Sequence, residues 1–318
     1  MEKVMYDLIG DIHGYATPLK KLLEKLGYQH NGQYWSHSTR KVIFLGDFVD
    51  RGPEQIDSVL IAKAMVENNT ALAVMGNHEF NAVAYATPDP KNEGEYLRPH
   101  SEKNQNQHAA FLDQVGEGSQ LHHEFISWFK TLPVFLDLEG LRVIHACWDE
   151  KSLKNIKPLL KSDNTLKNLA WYDVTEKGTD AFEAAETLLK GLEIPLPADS
   201  EGFFDKDNNH RMNIRTRWWE TDKFTYRDLA IVPDDVIEKV PHDPIADDLL
   251  PGYEGDKPLF LGHYWLTGTP KPRTDHIAIL DYSIAAQHTS SGHKGKLCAY
   301  RWDGEHVLSE DNFVWVEG

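Results

Sequence analysis

Cysteine is scarce in this sequence. The 318 residues contain two, Cys147 and Cys298, which lie far apart in apolar surroundings. A small disulfide-stapled scaffold is therefore excluded, although a single bridge between the two thiols stays open. Reduced thiols of this kind are typical of a cytoplasmic protein, which is the location that we expect.

Long apolar runs are also missing. No stretch of about 18 apolar residues occurs, so no transmembrane helix is expected. The first residues, MEKVMYDLIGDIHG, lack the apolar core of a secretion signal because Asp7 and Asp11 interrupt them. Neither membrane insertion nor export is predicted.

Positive charge is in short supply. Lys and Arg number 33 against 50 Asp and Glu, which gives a formal net charge of -17. A field of this sign repels nucleic acid and anionic membranes, so neither is expected as a partner. Solubility is the simplest explanation of the excess acid. A site for phosphate would need positive charge concentrated locally, from metal ions or arginine. The sequence predicts no particular oligomeric state.

Short apolar segments that end in polar residues recur along the chain. Each is too short for a free-standing helix, and each is followed by glycine or polar residues. This pattern is typical of buried strands. The segments are residues 6–14, 41–52, 71–79, 141–149, 258–265 and 276–283.

Helical patterns lie between the strands of the N-terminal half. Leucines at helical spacing predict a helix that begins with Thr17 as its N-cap and stops at Gly27. Two further helices are predicted over residues 53–68 and 122–132. The order strand, helix, strand predicts parallel α/β units.

Two segments have the composition of insertions. Residues 86–108 are polar and contain proline, and residues 175–256 combine one helix candidate with Pro- and Asp-rich stretches. Because no repeat or clear linker is present, we expect a single domain over residues 1–318. The insertions would form a cap or pocket wall. Near the end of the chain, strand-like runs around Asp303-Gly304 predict a hairpin.

Polar side chains follow the predicted strands at their carboxyl ends, where ligands bind in open α/β sheets. Each alone has an ordinary explanation, since a histidine after a strand is often a core residue and aspartate is a common helix N-cap. Their joint occurrence points to a shared site. Carboxylate, amide and imidazole donors without cysteine suit Mn, Fe, Zn or Co. The residues are Asp11, His13, Asp47, Asp50, Arg51, Asn77, His78, His145 and His263.

These motifs carry a family resemblance. GDIHG, GDFVDRG and GNHE, followed by a His after a strand and a later Gly-His, resemble the calcineurin-like metallophosphoesterases. The Arg in DRG resembles the phosphoprotein phosphatase branch, and its bacterial protein phosphatases and diadenosine tetraphosphatases are the most similar. The resemblance is close over residues 5–80 and looser over 125–174 and 258–310. It implies an α/β fold: a four-layer sandwich of two mixed β-sheets flanked by helices, with a dinuclear metal site at the carboxyl ends of the strands.

The resemblance also implies the ligands of the metals. Two ions, manganese first and iron, zinc or cobalt as alternatives, would hold a bridging hydroxide for in-line attack on phosphorus. Two sets of ligands that share one carboxylate would bind them: Asp11, His13 and Asp47 for the first ion, and Asp47, Asn77, His145 and His263 for the second.

The remaining motif residues would act on the substrate. His78 would be the general acid, oriented by Asp50, and Arg51 would contact the phosphoryl group together with Asn77. If the chain is extended here, neighbouring side chains point in opposite directions, so His78 would face the leaving group. Glu79 is expected to have a structural role at the start of the next helix. Further candidates for phosphate contacts are Arg211, Arg215, Arg217 and Tyr282, although a solvated basic patch also explains the arginines.

The expected function is hydrolysis of phosphate monoesters in a phosphoprotein or a small metabolite. Diadenosine polyphosphate hydrolysis is the alternative, and a non-catalytic metal-binding scaffold is a remote one. Two departures from the family pattern leave the substrate open. They are Gly-His-Tyr-Trp at 262–265, where relatives often have Gly-His-Thr, and Leu-Asp-Tyr-Ser at 280–283. The Trp218-Trp219 pair is expected to pack in the core rather than to stack on a base.

Replacing the shared carboxylate tests the predicted dinuclear site. Asp47→Asn removes the charge that both ions are expected to share, so the variant should lose metal. Elemental analysis after reconstitution measures the metal content per chain. Full occupancy by two ions in the variant would contradict the bridging role of Asp47.

Overall fold

A computed structural model of the chain describes residues 5–204, 210–220, 222, 224–232, 236–246, 249–253, 255, 257–286 and 294–318. Within these ranges, no helix combines the length and the apolar composition that crossing a bilayer requires. The helices are α1 (Ala16–Leu26), α2 (Gln55–Glu67), α3 (Asn77–Ala86), α4 (Glu102–Val115), α5 (Gln120–Phe129), α6 (Glu150–Ile156), α7 (Ala170–Asp173), α8 (Asp180–Lys190) and α9 (Tyr226–Leu229). The strands are β1 (Met5–Ile9), β2 (Gln29–His30), β3 (Trp35–Ser36), β4 (Arg40–Phe44), β5 (Ala71–Ala73), β6 (Phe135–Asp137), β7 (Arg142–Ile144), β8 (Glu193–Pro195), β9 (Phe203–Phe204), β10 (His210–Arg211), β11 (Asn213–Arg215), β12 (Leu259–Leu261), β13 (Ile277–Ile279), β14 (Asp281–Tyr282), β15 (Lys296–Trp302) and β16 (Phe313–Glu317).

Two mixed sheets form the centre of the fold. In the first, β1, β4 and β5 are parallel neighbours, and β15 pairs with β1 in the antiparallel sense. Strands β14 and β16 also pair with β15. In the second sheet, β12 lies between its parallel partners β7 and β13, and β6 is antiparallel to β7. The parallel pairing of β1, β4 and β5 confirms the parallel α/β units predicted for the N-terminal half.

The two sheets pack face to face, because alternate residues of each strand point to opposite sides. Leu8 and Ile43 from the first sheet share one buried cluster with Val143 and Phe260 from the second. Their sequence neighbours, such as Phe44, belong to a second cluster that also holds the helices. The order of layers is therefore helices, sheet, sheet, helices, which confirms the predicted four-layer α/β sandwich.

The start of α1 differs from its prediction. Tyr15 rather than Thr17 occupies the N-cap position, and Thr17 lies inside the first turn. The carboxylate of Glu54 accepts hydrogen bonds from the Thr17 backbone N–H (2.7 Å) and hydroxyl (2.5 Å). Because a side chain from another segment caps these donors, the helix does not need Thr17 as its cap. The predicted stop at Gly27 is confirmed, with a left-handed φ of 91°.

The hairpin predicted around Asp303-Gly304 is confirmed only in part, because its second strand is not the run at residues 305–308. Strand β15 ends at Trp302, but its antiparallel partner β16 begins only at Phe313. The longer connection is held by Glu305, whose carboxylate accepts hydrogen bonds from the Tyr300 hydroxyl (2.8 Å) and the Asn312 amide (2.9 Å). These tertiary contacts override the local turn signal.

The two predicted insertions contain ordered structure. Helix α4 begins inside residues 86–108, where no helix was predicted, and it buries His108, Phe111 and Val115. Residues 175–256, part of which lie outside the described ranges, contain α8, α9 and the paired strands β8 and β11. A separate small core lies within this segment and includes Ile194, Ile214, Leu229 and Val240.

A buried charge network joins the edges of β1, β4 and β15. Asp7 is fully buried, and its carboxylate accepts hydrogen bonds from Arg40 Nε (2.9 Å) and the Tyr28 hydroxyl (3.0 Å). Arg301 Nε lies 3.2 Å from the other carboxylate oxygen. Removing one partner of a buried pair leaves an uncompensated charge, which costs more than the pair contributed.

Arg40→Met should therefore lower the free energy of unfolding by about 3 kcal/mol. Lys20→Met is the matched control, because Lys20 pairs with Asp57 on the surface at 3.0 Å. That exposed pair should contribute less than about 1 kcal/mol. Urea unfolding of both variants measures the difference, and equal losses would show that burial does not strengthen the Asp7 network.

Candidate metal centre and active site

The candidate ligands converge because parallel strands of both sheets end at the same place. Asp11 and His13 follow β1, Asp47 follows β4, and Asn77 follows β5. His145 and His263 follow β7 and β12 of the second sheet. Each side chain leaves the carboxyl end of its strand, where the neighbouring parallel strands also end.

Asp47 lies at the centre of this group. Its Oδ2 is 3.3 Å from His145 Nε2, 3.7 Å from His13 Nε2 and 3.9 Å from His78 Nε2. Two sets of donors each lie within 4.8 Å of one another: His13, Asp47 and His78, and Asp47, His145 and His263. One carboxylate thus belongs to two donor groups, as a dinuclear centre requires.

The amide of Asn77 joins the second group. Its Oδ1 lies 3.1 Å from His145 Nε2 and 2.8 Å from His263 Nδ1. The backbone N–H of His263 donates to both carboxylate oxygens of Asp11, at 3.2 and 3.1 Å. The loop after β12 is thereby fixed against the loop after β1.

Backbone carbonyl groups orient two of the imidazoles. His13 Nδ1 donates to the carbonyl of Val49 (3.0 Å), and His145 Nδ1 donates to that of Leu45 (2.6 Å). A carbonyl can only accept, so in both rings Nδ1 carries a hydrogen and Nε2 is the nitrogen that faces Asp47. Among the described residues, the buried His13 Nε2 has no hydrogen-bond partner. Histidines that bind metals are typically held in this way.

The charge of the site also suits bound cations. Burial and the nearby carboxylates of Asp281 and Asp47 raise the pKa of Asp11 well above its ordinary value. Burial opposes the charge of Asp47 as well, but the imidazoles of His145 and His78 hold its pKa well below the ordinary range. Like charges buried together are relieved either by protonation or by a cation beside them. The donor set and its orientation therefore fit two metal ions.

The loops that carry these residues have unusual backbone conformations. Positive φ angles occur at His13 (48°), Asp47 (52°), and His263 (72°). Such conformations cost about 1 to 3 kcal/mol each for residues other than glycine, and they persist where the surroundings enforce them. Gly76 permits a close approach, since a Cβ there would lie 2.3 Å from the Asp47 nitrogen.

Glu79 connects the Asp47 loop to helix α3. Its carboxylate accepts hydrogen bonds from the backbone N–H groups of Asp47 (2.8 Å), Phe48 (2.8 Å) and Gly76 (3.1 Å). Burial and the neighbouring Asp47 raise the pKa of Glu79 to about 7. The structural role expected for Glu79 is confirmed, but it reaches beyond its own helix to the loop that carries Asp47.

The reason given for separating Asn77 from His78 was wrong. Both residues lie in the first turn of α3 rather than in an extended segment. In a helix, neighbouring side chains diverge by about 100° around the axis. Asn77 therefore faces His145 and His263, while His78 faces Asp50.

Asp50 bridges two histidines, one of which the sequence did not indicate. Its Oδ2 lies 2.5 Å from His78 Nδ1, and its Oδ1 lies 2.6 Å from His108 Nδ1. Burial opposes the charge of His78, but Asp47 and Asp50 raise its pKa above the ordinary value. His108 comes from α4. The spacing of His108, Phe111 and Val115 follows one helical face and is the signal that could have revealed it.

A cavity of about 970 Å³ opens beside these residues. It brings together most of the predicted substrate contacts, with cations contributed by both insertions. The charged residues that line it are Asp47, Arg51, Arg98, Lys103, Glu186, Lys190, Glu193, Arg211 and Arg215.

Two predicted phosphate contacts lie elsewhere. Arg217 follows the end of β11, where the chain turns. Its backbone N–H donates to the Leu229 carbonyl, and its Nη1 lies 3.4 Å from the backbone carbonyl oxygen of Asp228. Tyr282 packs in the core between the sheets, and its hydroxyl accepts a hydrogen bond from Arg273 at 2.9 Å. Neither residue lines the cavity, whereas Arg211 and Arg215 do.

The unusual Gly-His-Tyr-Trp sequence divides its aromatic residues between core and cavity. The Tyr264 hydroxyl donates to the Ala146 carbonyl (2.8 Å) and accepts from Trp218 Nε1 (2.8 Å). The Trp218-Trp219 pair is buried, as expected. Trp265 instead lines the cavity, where the guanidinium of Arg51 lies 4.2 Å from its ring centroid. Trp265 thus supports Arg51 through a cation–π contact.

Comparison with known proteins gives matches in sequence and in fold. The family described as calcineurin-like phosphoesterase matches residues 6–196. The bis(5'-nucleosyl)-tetraphosphatase PrpE of Oceanobacillus iheyensis is 32% identical over 149 residues, covering 44% of this chain and 54% of the relative. Its namesake in Bacillus subtilis is 30% identical over 146 residues, covering 44% of this chain and 57% of the relative. The chain spans about half the length of the curated relatives it matches.

One solved structure shares the fold at low identity. The cold-active protein-tyrosine phosphatase of a psychrophilic Shewanella species is 14% identical, with a TM-score of 0.50. The alignment covers 100% of this chain and 82% of that one. At this identity, the likeness shows the fold alone.

Glu79→Gln tests how far the buried carboxylate supports the metal centre. The amide has one acceptor oxygen, so its NH₂ group would face backbone N–H donors that Glu79 now satisfies. Displacement of the Asp47 loop should weaken Mn²⁺ binding by about 10- to 100-fold. Isothermal titration calorimetry measures the affinity. The exposed Glu24→Gln should bind as the wild type does, and unchanged affinity in Glu79→Gln would contradict the supporting role.

Proposed function

The chain belongs to the calcineurin-like phosphoesterase family, and from this premise we propose that it is a dinuclear metal-dependent hydrolase of dinucleoside polyphosphates. The main observation that supports this proposal is the cavity beside the candidate metal ligands. It is lined by six cationic and three acidic side chains, in a chain whose net charge is -17. A substrate with several phosphates matches this local reversal of charge. The names of the sequence relatives support the same substrate class.

The proposed ligand assignment follows the second donor group, but in the first it replaces His78 by Asp11, whose Oδ2 lies 3.9 Å from His13 Nε2. Asp11, His13 and Asp47 would hold one ion, and Asp47, Asn77, His145 and His263 would hold the other. The ions would supply a water of lowered pKa and neutralise charge on the phosphoryl oxygens. Manganese is the first candidate, since carboxylate, amide and imidazole donors without thiolate suit it.

His78 is placed to deliver a proton to the leaving group. Its Nδ1 is bound to Asp50, so Nε2 is the nitrogen that can donate toward the cavity. Asp50 stabilises the protonated ring and fixes its orientation. His108 holds the other oxygen of Asp50, which keeps this carboxylate from rotating away from His78.

Arg51 and Arg215 are placed to bind the phosphoryl group under attack. Arg51 rests on Trp265, and Arg215 lies 3.4 Å from His263 Nε2 while pairing with Glu193 at 2.9 Å. A guanidinium offers paired N–H groups to two phosphoryl oxygens. Both side chains are therefore held at the edge of the metal ligands before substrate arrives.

The cap expected from the sequence is part of this proposal. Residues 86–108 contribute Arg98 and Lys103 to the cavity, and residues 175–256 contribute Lys190, Arg211 and Arg215, among others. Both insertions would thus form the wall that recognises substrate. The two buried cysteines, Cys147 and Cys298, are free, which is consistent with a cytoplasmic setting.

Phosphate monoester hydrolysis, in a phosphoprotein or a small metabolite, is the second candidate. The observation that favours it is the His78–Asp50 pair, because a general acid matters most for a poor leaving group such as an alkoxide. A phosphate leaving group needs the proton less. The two substrate classes therefore differ in how strongly they should depend on His78.

A Mn²⁺-reconstituted activity screen tests the proposal. Diadenosine tetraphosphate, a phosphoserine peptide and p-nitrophenyl phosphate are compared by kcat/KM, with the highest value expected for diadenosine tetraphosphate. His78→Asn should keep its metal content but lose about 10²- to 10⁴-fold in turnover on the peptide. Hydrolysis of p-nitrophenyl phosphate without any cleavage of diadenosine tetraphosphate would exclude the main proposal.

A further inference from the structure

We propose that Arg98 binds a phosphate on the leaving group, so that the bond cleaved is a phosphoanhydride. This inference rests on the proposed function and extends it to the recognition of the leaving group. The resemblance indicated no role for Arg98, which lies in the segment 86–108 expected to be an insertion. The argument depends on where the side chain is held, on its charge and on its position relative to His78.

Arg98 is held between two helices beside the general acid. Its Nη1 donates to Asn81 Oδ1 (2.8 Å), and its Nη2 donates to Gln107 Oε1 (2.8 Å). Asn81 lies one turn after His78 on α3, about 4.5 Å further along the axis. Gln107 directly precedes His108 on α4. The guanidinium therefore lies on the His78 side of the cavity, among the residues that position the acid.

Burial lowers the pKa of Arg98, and the carboxylates of Asp50 and Glu186 offset part of this effect without forming an ion pair with it. Both hydrogen-bond partners are neutral amide oxygens, and among the described residues no carboxylate lies within ion-pair distance of it. Two other cavity cations differ, since Arg215 pairs with Glu193 and Lys190 pairs with Glu186. Its guanidinium has further N–H groups that these two bonds do not use. A fixed guanidinium that faces a cavity and forms no ion pair among the described residues suits a phosphate.

The position of Arg98 assigns it to the leaving side. The phosphorus under attack would lie between the metal ligands and Arg51, and the group that departs would lie next to His78. A leaving group that carries its own phosphate would place that phosphate near Arg98. The leaving group of an ester such as p-nitrophenyl phosphate carries no phosphate that Arg98 could bind.

The reaction balances with water as the only co-reactant. The oxygen of water forms a bond to the attacked phosphorus, and the bond from that phosphorus to the bridging oxygen breaks. The electron pair stays on the bridging oxygen, which leaves as part of the phosphate beside Arg98. His78 Nε2 supplies a proton to this oxygen, and the proton released by the water restores His78 through solvent. Arg98 stabilises the charge that develops on the departing phosphate.

A substrate comparison tests this assignment. Arg98→Met is assayed with Mn²⁺ on diadenosine tetraphosphate, inorganic tripolyphosphate and p-nitrophenyl phosphate. The value of kcat/KM should fall by about 10- to 100-fold on both anhydrides, the size of a lost charge-assisted contact. It should change less than about twofold on p-nitrophenyl phosphate, whose leaving group cannot reach Arg98. Tripolyphosphate shows whether the contact needs a nucleoside.

Lys91→Met is the matched control. Lys91 lies in the same segment but outside the cavity, where it contacts the Tyr172 ring at 4.2 Å and Glu176 at 3.4 Å. Its removal should leave all three rates unchanged. If Arg98→Met does not fold, Arg98→Lys supports the same comparison, because lysine keeps the charge but lacks the paired N–H geometry.

Each outcome separates this inference from the proposed function. Equal losses on all three substrates, or no loss on any, would overturn the role of Arg98 while leaving a phosphoesterase. A wild-type enzyme that cleaves only p-nitrophenyl phosphate would exclude the anhydride and keep the metal-dependent chemistry. A metal-loaded wild type that cleaves none of the three would overturn the proposed function itself.

Discussion

Buried carboxylates in close proximity are the constraint on which the rest of this structure depends. Asp11, Asp47 and Asp281 are all buried at the junction of the two sheets, and each disfavours the charge of the others. Burying uncompensated charge costs several kcal/mol per ion. The surrounding imidazoles offset part of this cost, and two bound cations would offset the remainder. The strained loops and the Glu79 hydrogen bonds hold these like charges together.

The fold could be predicted to a large extent because its strands are short, apolar and followed by glycine and polar residues. Such segments have few alternatives once buried on both sides, and β1, β4 and β5 are parallel as their order indicates. The order of these strands also predicted that the candidate metal ligands would lie together at their carboxyl ends. Local signals failed where distant side chains intervened. Glu54 caps the first turn of α1 in place of Thr17, and Glu305 stabilises a longer connection between β15 and β16 than the turn predicted at Asp303-Gly304.

The candidate site was less predictable on its substrate side. The ligand motifs lie within a few residues of strand ends, so sequence order alone brings them together. Arg98 and His108 come from a polar segment whose helix buries only a narrow stripe, and their positions depend on contacts with Asn81 of α3 and with Asp50, respectively. The predictions for Arg217 and Tyr282 also depended on packing, because neither side chain lines the cavity. Their sequence positions suggested the pocket, but the backbone turns Arg217 away and the sheet interface encloses Tyr282.

The central claim is that two metal ions bind where the carboxyl ends of both sheets meet, sharing Asp47. Anomalous diffraction at the manganese edge, from crystals of the wild-type chain grown with Mn²⁺, tests it directly. The account predicts two peaks about 3.5 to 4 Å apart, one beside Asp11 and His13 and the other beside Asn77, His145 and His263. A single peak that does not contact Asp47, or two peaks outside this group, would contradict it.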